Sequence, residues 1–169
     1  MGTASTLSQI CFSTPNLSIQ SRSDPFCAPN YPTGMTDYNF STRAGFQLAM
    51  KNALTTSSPE ETKTYAEATV TPSFHHVFNG ERLEYDAWFQ SLENWRGKIT
   101  NYDPKVEEFL RDGDQLAARM TGVVQLGGVE TFFESFCFAK VDKESGKLMS
   151  LTERAVWGEM GKNEVHAMA

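Results

Sequence analysis

The apolar positions of the chain fall into two rhythms. Along TRAGFQLAMKNALTT, Phe46, Ala49, Met50, Ala53 and Leu54 recur at the three-and-four spacing of one helical stripe. The next segment, SSPEETKTYAEA, opens with Ser58, Pro59 and Glu61. A hydroxyl cap, a proline at the first helical position and a carboxylate three residues beyond the cap predict a capping box. A third helix is predicted over YDAWFQSLENWRGKI, which lines up Trp88, Leu92, Trp95 and Ile99. Between the second and third helices, Pro72 ends the helical pattern. SFHHVF then reads as a short strand closed by the turn pair Asn79-Gly80.

After the third helix the period changes to two. NYDPKVEEFLR, QLAARMTGVVQL, VETFFESFCFAKV and LMSLTERAVWG read as four strands. Asp112-Gly113, Gly127-Gly128 and the loop DKESGK separate them, so an antiparallel meander is predicted. Turn lengths then set the register. A two-residue turn at Gly127-Gly128 places Leu126 opposite Val129 and Thr121 opposite Glu134. A four-residue loop over Lys143 to Gly146 pairs Asp142 with Lys147, which sets Phe136 opposite Glu153. A two-residue turn at Asp112-Gly113 adds Tyr102, Val106, Glu108 and Leu110 to the same side. One face then collects Arg119, Glu134 and Glu153 among Phe132, Phe136, Phe138, Tyr102 and Trp157. The other carries smaller side chains, among them Ala118, Met120, Ser135, Cys137 and Ala139. Large aromatics with a few charges suit the lining of a pocket, and small side chains suit close packing against a second copy of the sheet.

Two of the chain's three histidines, His75 and His76, are adjacent within VTPSFHHVFNG. Neighbours on a strand point to opposite faces, so at most one of them faces a given site. Alternation with Phe74 and Phe78 assigns His76 to the bulkier face. Either histidine could serve as a general acid or base, or could simply be packed and hydrogen-bonded to backbone. No metal site is expected, because the pair diverges and His166 lies in the tail.

Composition narrows the class. The 169 residues suffice for one domain, and a net charge of -6 without a basic cluster argues against nucleic acid or an anionic membrane as partner. No apolar run is long enough to span a bilayer. Cys11, Cys27 and Cys137 show neither paired nor metal-type spacing, which suits a reducing, cytoplasmic setting. Residues 1–41 are rich in Ser, Thr, Pro and Asn, with Arg22, Asp24 and Asp37 as their charged members, and read as a flexible arm. The start lacks the basic and apolar regions of a secretory signal. Gly2 and Thr6 match the loose N-myristoylation pattern, although a plain Ser/Thr-rich tail explains them as well. The ordered domain is expected over 42–160, with a tail over 161–169.

The order helix-helix-strand-helix followed by a four-strand meander resembles the cone-shaped α+β fold of nuclear transport factor 2 relatives. TPSFHHVFNG, YDAWFQSLENWRGKI, EFLRDGDQLAARMTG and FFESFCFAKVDKESGKLMSLTERAVWG look like SnoaL-like small-molecule enzymes. The resemblance covers roughly residues 42–158. It implies three N-terminal helices packed on a curved, mostly antiparallel sheet that forms a conical pocket, and a homodimer through the sheet. It further implies cofactor-free acid/base chemistry on an apolar oxygenated metabolite such as a polyketide or terpenoid: isomerisation, cyclisation, dehydration or epoxide opening. Many SnoaL-like cyclases carry an aspartate near the end of the last strand, where RAVWGE has none. Acid/base work would therefore fall to His76 or His75 with Glu153 or Glu134, and Arg119 would stabilise developing negative charge. Tyr102, Trp95, Phe132, Phe136 and Trp157 would hold the substrate. A non-catalytic ligand-binding or dimeric scaffold protein of the same fold is the alternative.

Overall fold

The computed structural model describes residues 38–55, 58–159 and 165–167. The predicted arm and the acylation pattern at Gly2 therefore lie outside the described residues, up to residue 37. Order begins before Thr42, however. Phe40 is buried and packs edge-on against Phe46, while Tyr38 meets the Tyr65 ring. Gly45 is what allows this approach, because a Cβ there would sit 2.0 Å from the Asn39 carbonyl oxygen.

Helices α1 (Arg43–Thr55) and α2 (Pro59–Thr69) form where the periodicity places them. The predicted capping box is present: the Glu61 amide donates to Ser58 Oγ, and the Ser58 amide donates to the Glu61 carboxylate. Strand β1 (Val70–Phe78) follows directly and contains Pro72, which lies at a register shift between Val70 and His75. A strand tolerates proline at such an irregularity because no ladder hydrogen bond is needed there. The turn at Asn79-Gly80 has positive φ at both residues and leads into β2 (Glu81–Glu84), a strand that periodicity had not separated from its turn. Helix α3 spans Tyr85–Arg96 and stops at Gly97. Ile99, expected on its stripe, instead opens β3 (Ile99–Asp112) and is buried there.

The meander continues through β4 (Gln115–Leu126), β5 (Val129–Val141) and β6 (Leu148–Glu159). The sheet runs in the order β2-β1-β6-β5-β4-β3, with β1 parallel to β6 and the other pairs antiparallel. A short β7 (Val165–Ala167), inside the expected tail, pairs with β6.

Register decides which side chains share a face, and two bulges revise the expected pattern. The β4–β5 hairpin pairs as predicted, with Leu126 opposite Val129 and Thr121 opposite Glu134. The β5–β6 hairpin also begins as predicted, with Val141 opposite Leu148, but then shifts so that Lys140 faces Ser150. Met149 is the extra residue. Beyond it Glu153 faces Cys137 rather than Phe136, and Phe136 faces Arg154. A second shift in β3 sets Val106 opposite Met120 while Glu108 faces Arg119, which moves Tyr102 and Val106 away from Glu108 and Leu110. An extra residue in one strand reverses side-chain alternation beyond it, because the strand period is two. The expected single face is thereby divided. Tyr102, Glu153 and Trp157 join Ser135, Cys137 and Met120 on the inner face, towards the helices. Arg119, Glu134, Phe132 and Phe136 remain outside.

Candidate functional site

Between the inner face and the helices lies a cavity of about 270 Å³. Its walls include Phe74, His76 and Phe78 from β1, Trp88 and Trp95 from α3, and Tyr102, Met120, Phe133, Glu153 and Trp157 from the meander. The volume sits near the lower end of the usual ligand-pocket range of roughly 300–1,000 Å³. A second groove, lined by the α1–α2 connection and the start of β3, is bounded by charged groups that already have partners. Among these, Lys51 pairs with Asp103 at 2.7 Å, and Arg96 donates to the Ala53 and Asn52 carbonyls that end α1.

The polar centre of the cavity is small. Strand β1 lies parallel to β6 with His76 beside Leu151 and Phe78 beside Glu153, so alternation turns both His76 and Glu153 inward. His76 Nε2 lies 3.4 Å from Glu153 Oε2, with side chains only 13% and 17% exposed. That nitrogen makes no hydrogen bond among the described residues. The other carboxylate oxygen, Oε1, accepts a hydrogen bond from Ser135 Oγ at 2.5 Å, and Ser135 is itself fully buried. Cys137 Sγ lies 3.5 Å from the same hydroxyl.

Neutral groups surround the carboxylate. Burial holds the Tyr102 phenol well above its ordinary pKa, and the charge of Glu153 acts in the same direction. Burial likewise pushes the Cys137 thiol well up, again helped by Glu153. Such a thiol is a packed side chain rather than a nucleophile. Around the centre, Tyr102 stacks near Phe133 at 5.5 Å, Phe133 meets Trp157 at 5.4 Å, and Trp95 lies parallel to Trp157 at 6.4 Å.

The structure thus brings together His76, Glu153, Tyr102, Trp95 and Trp157 from the expected set. It does not bring the others there. His75 alternates away from the cavity and pairs across the β1–β2 hairpin with Glu84. Arg119 donates to Glu134 at 2.9 Å and to Glu108 at 3.2 Å on the outer face, and these bonds raise its pKa. Phe132 and Phe136 are 40% and 43% exposed on that same face. The expected placement of Arg119 and Glu134 in the pocket is therefore corrected: the β4–β5 alternation was right, but the inner face is the one with small side chains. Ser135, which bonds Glu153, was missed as a member of this cluster for the same reason. Its signal was present, since a serine between apolar neighbours on a buried face needs a partner. Among the described residues, no cluster of three or more His, Cys, Asp or Glu side chains could hold a metal ion, and no helix is long and apolar enough to cross a membrane.

No protein-family profile matches the chain, and no curated protein sequence does. Solved structures do resemble it. A provisionally named SnoaL-like polyketide cyclase from Shewanella denitrificans aligns with a TM-score of 0.55 at 10% identity, over 67% of this chain and 89% of that one. A hypothetical protein of ketosteroid isomerase-like fold from Catenulispora acidiphila, solved with trimethylamine, aligns at 0.52 and 11% identity, over 63% and 81%. An epoxide hydrolase of the LEH-like type from M. tuberculosis aligns at 0.50 and 18% identity, over 63% and 76%. At these identities the likeness shows the fold. The chain shares the α+β fold of these SnoaL-like, ketosteroid isomerase-like and epoxide hydrolase structures.

Proposed function

We propose that the chain is an acid/base enzyme acting on an apolar, oxygenated small molecule, with His76 and Glu153 as the proton-moving pair. The supporting observation is the 3.4 Å approach of these two groups inside an apolar cavity. Ser135 occupies Oε1 of Glu153, which leaves Oε2 as the oxygen turned towards His76. One member of the pair takes a proton from the substrate and the other returns one, while the aromatic walls exclude water and hold the rings. Proton transfer of this kind serves isomerisation, cyclisation, dehydration or epoxide opening, and needs no group beyond the chain's own side chains. Cyclase and epoxide hydrolase names among the structural neighbours agree with this range of reactions.

The test is deuterium incorporation from heavy water into 2-tetralone, an enolisable apolar ketone, followed by NMR. The wild-type chain should exceed the buffer rate. Glu153→Gln and His76→Ala should each remove about 10²- to 10⁴-fold of the excess, the usual contribution of a positioned acid or base. His75→Ala and Glu134→Gln should leave it within about twofold. Exchange that survives replacement of both His76 and Glu153 would refute the proposal. Binding of the ketone without any excess exchange would favour the ligand-binding alternative.

The outer face supports a second statement, that the chain pairs with another copy of itself through the sheet. Phe136 and Phe138, two residues apart on β5, are 43% and 61% exposed, and Leu110, 72% exposed, lies across Ala117 from Phe138 on the same face. The Arg119 pairs with Glu108 and Glu134 supply both charge signs within one patch, as a self-complementary interface requires. Light scattering should report a dimer for the wild type and a monomer for the Phe136→Glu, Phe138→Glu double variant. A monomeric wild type would exclude this pairing.

A further inference from the structure

Four buried side-chain nitrogens lack a hydrogen-bond partner among the described residues: His76 Nε2, Arg96 Nη1, Arg111 Nη1 and Trp157 Nε1. Three of the four have ready explanations. His76 Nε2 faces Glu153 at 3.4 Å. Arg96 is bonded through its other two nitrogens. Arg111 keeps three further donors on Nε and Nη2 of a guanidinium near the end of a strand. Trp157 differs, because Nε1 is its single polar atom and can only donate. Buried indole N–H groups in native proteins nearly always find an acceptor, since leaving one unpaired costs more than the bond is worth when made. Trp157 is also a wall of the cavity, so its missing acceptor has a place to come from.

We infer that Trp157 Nε1 is a ligand-binding donor: it holds an acceptor oxygen of the bound molecule, at a pole of the cavity separate from the His76–Glu153 pair. This rests on the reading that the cavity is the working site. Glu153 and Trp157 point the same way two pleats apart on β6, which separates them by about 13 Å along the strand. The rings of Tyr102, Phe133, Trp95 and Trp157 line the Trp157 end. A group that only donates cannot hold an ammonium or any other pure donor, and needs a lone pair on its partner. The ligand class is therefore a flat, apolar ring system with a carbonyl or ether oxygen at the end remote from His76. The Trp157 contact selects this class and fixes the orientation in which the opposite end meets the acid/base pair.

The experiment compares fluorenone with fluorene, which share one ring skeleton and differ by the carbonyl oxygen. Titration calorimetry on the full chain should show fluorenone binding about three- to tenfold tighter, the usual worth of one hydrogen bond. In Trp157→Phe the two affinities should become equal, with that for fluorene little changed. A measurement on the wild-type chain makes the result independent of how the variant folds. Of the chain's three tryptophan indole N–H signals, the one from Trp157 should move downfield with fluorenone and not with fluorene. Equal affinity of the wild type for both compounds, or a preference that survives Trp157→Phe, would overturn the inference while leaving the cavity as a site. Failure of both compounds to bind at all would remove the cavity reading and this inference with it. The heavy-water exchange experiment reports on His76 and Glu153 separately from both results.

Discussion

The two faces of the sheet carry opposite solutions to the same packing problem. Outside, Phe132, Phe136 and Phe138 stand exposed around an Arg119–Glu134 ion pair, of the kind that contributes little where water reaches it. Inside, the corresponding positions are Ala118, Ser135, Cys137, Ala139 and Ala155, all buried. Large rings on the inner face would fill the space between sheet and helices. Small side chains there leave the cavity open, and the rings that close it come from β1, α3 and the ends of the strands. Charge follows the same division. The outer pairs are numerous and solvated, whereas the Glu153 carboxylate of the inner face is largely buried, bonded by Ser135 and facing His76. A patch of aromatics with charges is therefore no guide to a pocket by itself. The room left by small residues is the better sign.

The contrast can be broken or sharpened by substitution. The largest stability effect is expected from Phe133→Ala, because Phe133 is 2% exposed and meets both Tyr102 and Trp157. A loss of about 3–5 kcal/mol in urea unfolding should follow, against about 0.5 kcal/mol or less for Glu130→Ala, exposed on the outer face away from the proposed pairing patch. Equal losses would mean that the faces are misassigned. Gly122→Ala should cost about 1–3 kcal/mol by the same measurement. A Cβ there would meet the Asp103 carbonyl oxygen and the Phe133 ring, each at 2.7 Å, so inner-face packing tolerates no methyl at that point.

The smallest effect concerns alkaline pH. Burial raises the Cys137 and Tyr102 pKa values in the folded chain, whereas the unfolded chain ionises them near about 8.5 and about 10. Above those values the folded state keeps protons that the unfolded state releases. The stability they contribute is thus complete below about pH 8.5 and declines as pH rises. The urea midpoint should fall between about pH 8.5 and about pH 10.5, and Cys137→Ala or Tyr102→Phe should flatten that fall. An unchanged slope in both variants would show that the two groups are more solvated than the inner face implies.

Local signals carried much of the architecture. Helical stripes, the Ser58–Glu61 capping box and the glycine-rich turns placed three helices and the meander, and Gly127-Gly128 set the β4–β5 register to the residue. The alternation of Phe74, His76 and Phe78 also selected the inward histidine. Each of these depends on neighbours a few residues apart, where spacing and turn chemistry act directly. The bulges at Met149 and near Glu107 have no such signature, because a single extra residue looks like any other position in a strand. Cross-strand pairing decides where it falls, and the choice of concave face depends on what the helices cover. Those two long-range decisions moved Glu153 beside Ser135 and His76, and left Arg119 and Glu134 outside. Short-range signals placed three helices, the first strand and the four meander strands, and favoured His76 over His75 as the inward histidine. Only the tertiary structure gave His76 its carboxylate, since one residue of slip reverses every side chain beyond it.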